Sequence, residues 1–181
     1  MGFKRKKLKL LKLSKEYFYK IYYSAHNNAV ELLSEADILF KSKKYPRAYF
    51  LAFTALEELS KSQLTADVFT GFRDQETFWK YYKVHNKKIK DISWATLDAN
   101  ESYNIHFDTG EIIKVKKPKI EKRMNSLYVH VNGSNKVISP GDIIKEADAK
   151  EIIHTVRVAL HQIMLMTEYY GHQIGTKGFR K

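Results

Sequence analysis

Tyr45-Pro46-Arg47-Ala48-Tyr49-Phe50-Leu51-Ala52-Phe53-Thr54-Ala55-Leu56-Glu57-Glu58-Leu59-Ser60-Lys61 is the stretch on which the architecture turns. Ala48, Leu51, Ala52, Ala55 and Leu59 recur at helical spacing and the period runs on to Ala66, which predicts a helix from about Pro46 to Thr70. Pro46 suits its first turn, where the missing N–H costs nothing, and Gly71 is a natural terminator. The small inward residues permit close helix packing. Before it, Lys41-Ser42-Lys43-Lys44-Tyr45-Pro46 is too short and polar to be anything but a tight connection. From about Lys15 to Lys43, Phe18, Ile21, Tyr22, Ala25, Ala29, Leu32, Leu33, Ala36, Leu39 and Phe40 trace one face of another helix. An antiparallel helical hairpin follows.

Working outward, a third helix is expected from about Asp74 to Lys90, with Phe78, Tyr82, His85 and Ile89 on one stripe and Trp79 beside it. Between about Glu101 and Pro140 the period changes to two. Tyr103, Ile105 and Phe107 alternate before Asp108-Thr109-Gly110, and Ile112, Ile113 and Val115 follow, the pattern of a hairpin. Leu127, Val129 and Val131 lead into Asn132-Gly133, a strong turn signal, with Val137 and Ile138 after it. Past Ser139-Pro140-Gly141 the helical period returns through Ile152, Val156, Ala159, Leu160, Ile163, Thr167 and Tyr170, with Asp148 and Glu151 at capping-box spacing and Gly171 at the end.

The stretch around Glu57-Glu58 and Lys61 resembles the signature of the AbiV family of abortive-infection proteins. Phe78-Trp79 followed by His85-Asn86-Lys87-Lys88, and Ser126-Leu127-Tyr128-Val129 followed by a turn and Ser139-Pro140, extend the similarity over about residues 20 to 170. The resemblance implies antiphage defence by abortive infection, in which an infected cell shuts down its own or the phage's gene expression. It also implies a HEPN-like bundle, usually dimeric, in a superfamily with many metal-independent ribonucleases. The expected architecture is mainly α: an antiparallel HEPN-like four-helix bundle with a small β-hairpin insertion, about residues 101–140, between helices 3 and 4. Residues 1–14 form a basic N-terminal arm, 15–172 one helical domain and 173–181 a basic tail.

Composition bounds the function. The chain has 181 residues, 44% hydrophobic and 29% charged, enough to bury one core. No apolar run approaches the ~20 residues of a membrane span, so an integral membrane protein is not expected. Zero cysteines exclude disulfides and thiolate metal sites and fit the cytoplasm. The net charge is +12, and Lys4, Arg5, Lys6, Lys7, Lys9, Lys12 and Lys15 supply seven positive charges before the first acid, Glu16. Clustered lysine of this kind tracks RNA phosphates or an anionic membrane surface. It equally suits a solvated terminus whose leucines cover the bundle or a second subunit.

The candidate chemistry lies where polar groups fall on apolar stripes, because burying them costs free energy unless a partner or a function compensates. Glu58 falls between Ala55 and Ser62, Lys61 one turn further on, and His85 on the third stripe. A carboxylate beside an imidazole orients the ring, and a lysine stabilises phosphorane charge, which is what attack by a ribose 2′-hydroxyl requires. The same three residues also fit a buried network that fixes helix register. Glu57 has Lys61 at i, i+4 and so a plain surface ion pair available. Spacing does not choose between the glutamates. Arg123 and His130, with six residues between them, imitate the HEPN ribonuclease pattern but fall in the expected strand region. Arg157 and His161 sit on the outer side of the last helix, and His26 edges the first stripe. The scattered histidines give no metal-ligand spacing and no glycine loop cradles phosphate, so neither a metal nor a cofactor is expected. Twelve tyrosines and ten phenylalanines leave apolar surface for a symmetric partner. A homodimer is expected, with RNA, the translation machinery or a phage protein as further partners.

Overall fold

The computed structural model describes residues 13–89, 95–106 and 109–169, and the side chains of residues 15, 86, 87 and 164–169 are outside that description. The basic-arm residues Lys4, Arg5, Lys6, Lys7, Lys9 and Lys12 fall outside the described residues, as do Phe107 and Asp108 of the first expected hairpin. The helical hairpin is formed by α1 (Lys15–Lys41) and α2 (Tyr45–Phe69), and Pro46 stands in the first turn of α2. Ala29 and Ala36 of α1 meet Ala48, Ala52 and Ala55 of α2, all fully buried. With no side chain beyond Cβ at these positions the two helices pack at short range. The last helix, α7 (Glu146–Tyr169), completes the core with Ala149, Ile152, Ile153, Val156, Ala159 and Ile163. Asp148 caps it by accepting the N–H of Lys145 at 2.8 Å, so Asp148 supplies the acidic half of a capping box rather than its start.

The expected third helix is broken. It forms α3 (Gln75–Tyr82), capped by Asp74 accepting from the N–H of Thr77, and a single turn, α4 (His85–Lys88). The cause is that the stripe Phe78, Tyr82, His85, Ile89 serves two cores. Phe78 packs with Phe18 and Leu64 in a small cluster, whereas Ile89 is buried in the main one. The Tyr103 hydroxyl, donating to the carbonyl of Ile89 at 2.7 Å, satisfies backbone that leaves the helix.

The inserted segment carries β1 (Thr96–Leu97), β2 (Ser102–His106) and β3 (Ile112–Lys116), an antiparallel sheet in that order with Tyr103 opposite Val115 and Ile105 opposite Ile113. Tyr103, Ile105 and Val115 face the core. The second hairpin is β4 (His130–Val131) with β5 (Val137–Ile138). It is shorter than the alternation suggests, because Leu127 and Val129 lie outside the strands and are exposed. Asn132 does turn the chain, its side-chain oxygen accepting the N–H groups of Ser134 and Lys136. Two short helices were not expected there: α5 (Ile120–Asn125) and α6 (Pro140–Ile143), the latter closed by a Ser139–Asp142 capping box. The architecture is mainly helical with small antiparallel sheets between α4 and α7. Among the described residues no helix is long and apolar enough to cross a membrane.

The α1–α2 turn contains one strained position. Lys43 has φ 58°, with the N–H of Lys44 on the carbonyl of Leu39 and the N–H of Lys43 on that of Phe40. That is the Schellman pattern, which favours glycine at the left-handed residue. Lys43→Gly should therefore stabilise the protein by about 0.5–1 kcal/mol, the relief of the left-handed lysine exceeding the added unfolded-state entropy. Thermal denaturation should show a midpoint a few degrees higher.

Candidate functional site

Glu57 lies on the side of α2 facing α4 and α5, and is 3% exposed. Its Oε1 is 2.5 Å from Nδ1 of His85 on α4, and its Oε2 is 3.5 Å from Nη2 of Arg123 on α5. The side chain of His85 is 53% exposed, so the ring is held from beneath by a buried carboxylate while its other edge reaches solvent. The Arg123 guanidinium lies over the rings of Phe50, 5.0 Å from its centroid, and Phe53 at 5.8 Å. These contacts combine a cation–π attraction with a charge-assisted pairing. Its Nε is buried and without a hydrogen-bond partner among the described residues.

Next to Glu57 in the chain, Glu58 pairs with Lys61, whose Nζ stands 5.6 Å from the Tyr82 ring centroid. Lys88, at the end of α4, is 4% exposed. Burial pushes its ammonium below the ordinary lysine range, Lys61 and Arg123 repel it, and Glu57 and Glu58 only partly offset this. The cluster therefore sets three basic side chains, Lys61, Lys88 and Arg123, against two carboxylates, with the His85 imidazole beside them. Such an arrangement can orient an imidazole, and its surplus positive charge is placed to attract a phosphate. Among the described residues no group of three or more His, Asp or Glu side chains is arranged to hold a metal.

The sequence expectation of Glu58, Lys61 and His85 meets this geometry in part. All three lie around the middle of α2, and the structure makes the choice that spacing left open: Glu57 is the buried partner of His85, and Glu58 takes Lys61. The reason is that α2 is covered both by α1 and α7 and by α4 and α5, so its inward arc is wider than one stripe. Arg123 lies on a helix rather than in a strand, and His130 on β4. Arg157 is not part of the cluster, pairing with both carboxylate oxygens of Asp37 on α1 at 2.6 Å.

A HEPN family model described as AbiV matches residues 18–161, from the first turn of α1 to the middle of α7. The chain belongs to the AbiV family. Membership connects this AbiV protein with antiphage defence by abortive infection and agrees with its helical fold. No curated protein and no solved structure matches the chain. The matched span contains Glu57, Glu58, Lys61, His85, Lys88 and Arg123, so the whole cluster belongs to the part of the AbiV chain that defines the family.

Lys88 gives this site a measurable signature. Its folded pKa lies below the unfolded 10.5, so the cost of the buried ammonium is fully present at pH values below that folded pKa. As pH rises through the folded pKa toward 10.5 the folded state sheds its proton first, and that cost disappears. Lys88→Met should accordingly be more stable than the parent at pH 7, by about 1 kcal/mol. Urea denaturation should show this advantage shrinking as pH approaches 10.5.

Proposed function

We propose that this protein is a metal-independent RNA-cleaving effector that stops translation in the infected cell. The observation that carries the reading is the pairing of buried Glu57 with Nδ1 of half-exposed His85. A carboxylate on Nδ1 fixes the tautomer that leaves Nε2 as the base, and stabilises the imidazolium that forms when Nε2 takes a proton. In this reading His85 removes the proton of a ribose 2′-hydroxyl. The 2′-oxygen attacks the adjacent phosphorus, the bond to the 5′-oxygen breaks, and the leaving oxygen takes a proton from water. The products are a 2′,3′-cyclic phosphate and a 5′-hydroxyl end. Lys88 and Arg123, with the Glu58-paired Lys61, supply the positive field for the phosphorane. The lysine arm, Lys4 to Lys12 with Arg5, adds a salt-dependent hold on the RNA backbone.

A second reading, a non-catalytic module that binds a phage or host protein, is favoured by one surface. Leu127, Tyr128, Val129, Val131 and Val137 are all exposed on and beside the β4–β5 hairpin, an apolar display of the kind protein partners cover. In either reading we propose a homodimer through α1, where Tyr19, Tyr23 and Val30 form an exposed apolar stripe and the two tyrosine rings lie 4.8 Å apart.

Incubation of the purified protein with total RNA in a chelator tests the first reading. His85→Gln should lower cleavage on the order of a hundredfold or more with little change in melting temperature. Glu57→Gln should lower it as well, and also cost roughly 1–3 kcal/mol of stability by removing the charge that Arg123 and Lys88 face. Full phage protection by a folded His85→Gln variant would favour the interaction module instead.

For the assembly, light scattering at tens of micromolar, a concentration suited to moderate interfaces, should give twice the chain mass. Val30→Glu should reduce it to one.

A further inference from the structure

A second concavity lies on the other side of α5 from Glu57. It is a pocket of about 290 Å3 between α2, the β3–α5 connection and α7, at the small end of the range for small-molecule sites. Tyr49, Pro118 and Ile152 contribute its apolar lining. One wall carries Lys116, Lys117, Lys119 and Lys122, with Glu121 among them, and the opposite wall, on α7, carries Asp148 and Glu151.

The charges on these walls are unequally engaged. Lys117 pairs with Glu101 at 2.8 Å. Lys122 crosses the pocket to Asp148, whose other oxygen accepts the N–H of Lys145. These contacts brace the two walls. Lys116 and Lys119 are exposed on one side, as Glu151 is on the other. Burial, with Asp148 and Glu151 nearby, pushes the Tyr49 phenol well above its ordinary range, so it remains a neutral hydroxyl. The pocket is thus dipolar: cations on the β3–α5 side, a carboxylate on the α7 side, and apolar lining from Tyr49, Pro118 and Ile152.

We propose that this pocket binds a nucleotide whose base carries an exocyclic amine, with its phosphate on Lys116 and Lys119 and its amine donating to Glu151. A carboxylate accepts from the amine of cytosine but has no donor to meet at the corresponding carbonyl of uracil. The apolar lining offers the base a face to lie on, while simple anions gain nothing from it. The nucleotide is either free or one unit of an RNA strand. The strand-borne form rests on the RNA reading above, and the free form does not. Arg123 of α5 faces Glu57 while Lys122 of the same helix faces the pocket, so a strand crossing α5 would meet both.

Isothermal titration calorimetry of the full chain with CMP, UMP, pyrophosphate and a cytidine tetranucleotide tests this. CMP should bind about fivefold tighter than UMP, the worth of one ordinary hydrogen bond at this exposed carboxylate, and Glu151→Gln should remove that preference. The Lys116→Gln, Lys119→Gln double variant should weaken both nucleotides about tenfold. A tetranucleotide that binds more tightly than CMP, with the same loss in the double variant, assigns the pocket to an RNA strand. CMP binding with no gain on lengthening assigns it to a free nucleotide. Equal binding of CMP and UMP, or of pyrophosphate and CMP, overturns the proposal, as does absence of heat with CMP and the tetranucleotide at about 5 mM, a concentration that detects millimolar affinity. These selectivity measurements need no variant. The CMP, UMP and pyrophosphate measurements involve no cleavage step, which separates failure of the pocket from failure of the cleavage reading.

Discussion

The carboxylate of Glu57 is taken out of water on a helix covered from more than one side, and a buried charge persists only where other groups compensate it. Compensation comes from two directions. His85 approaches one oxygen from α4 and Arg123 the other from α5, so two short helices that have little hydrophobic anchorage of their own are tied to α2. The expense of losing Arg123, the more buried of the two partners, about 3–5 kcal/mol for a buried pair broken from one side, is a large fraction of an ordinary domain's stability. The same contacts that hold α4 and α5 in place also build the site.

That arrangement depends on how α2 is packed elsewhere. Alanines at positions 48, 52 and 55 let α1 and α7 approach closely, which leaves the larger side chains Phe50 and Phe53 to form the platform under Arg123. The guanidinium is therefore held by ring faces as well as by charge, and a lysine in its place would lack the planar stacking. The β3–α5 connection continues this logic on the far side of α5, where Lys122 ties to Asp148 on α7. The six-residue helix α5 is thus fixed by an ion pair at each flank.

Much of this was legible in the amino-acid order. The α1–α2 hairpin, α7 and the β2–β3 hairpin follow from their periods, because each presents a regular buried face, and the β4–β5 hairpin follows from its Asn132-Gly133 turn. The break between α3 and α4 does not, since Phe78, Tyr82, His85 and Ile89 keep helical spacing while Phe78 and Ile89 serve different cores. Helix α5 does not either: Ile120 to Asn125 is too short for a period to register. His85 stood out as a polar residue on an apolar stripe. Its partner could not be chosen, because adjacent glutamates differ by only 100° around a helix that is covered on more than one side. Arg123 and Lys88 reach the cluster through elements whose placement is tertiary, and no local pattern announces them.

The single turn of α4 has a consequence for how the site could be controlled. A helix of one turn lies far below the length that is stable in water by itself, so its order is borrowed from the Glu57 carboxylate, from buried Ile89 and from the Tyr103 hydroxyl. Opening it forfeits those contacts while the packing among α1, α2 and α7 is retained, a local equilibrium distinct from global unfolding. The imidazole is mounted on a piece of chain that can be dismantled and rebuilt without taking the bundle apart, and amide hydrogen exchange across residues 85–88 would read the position of that equilibrium directly.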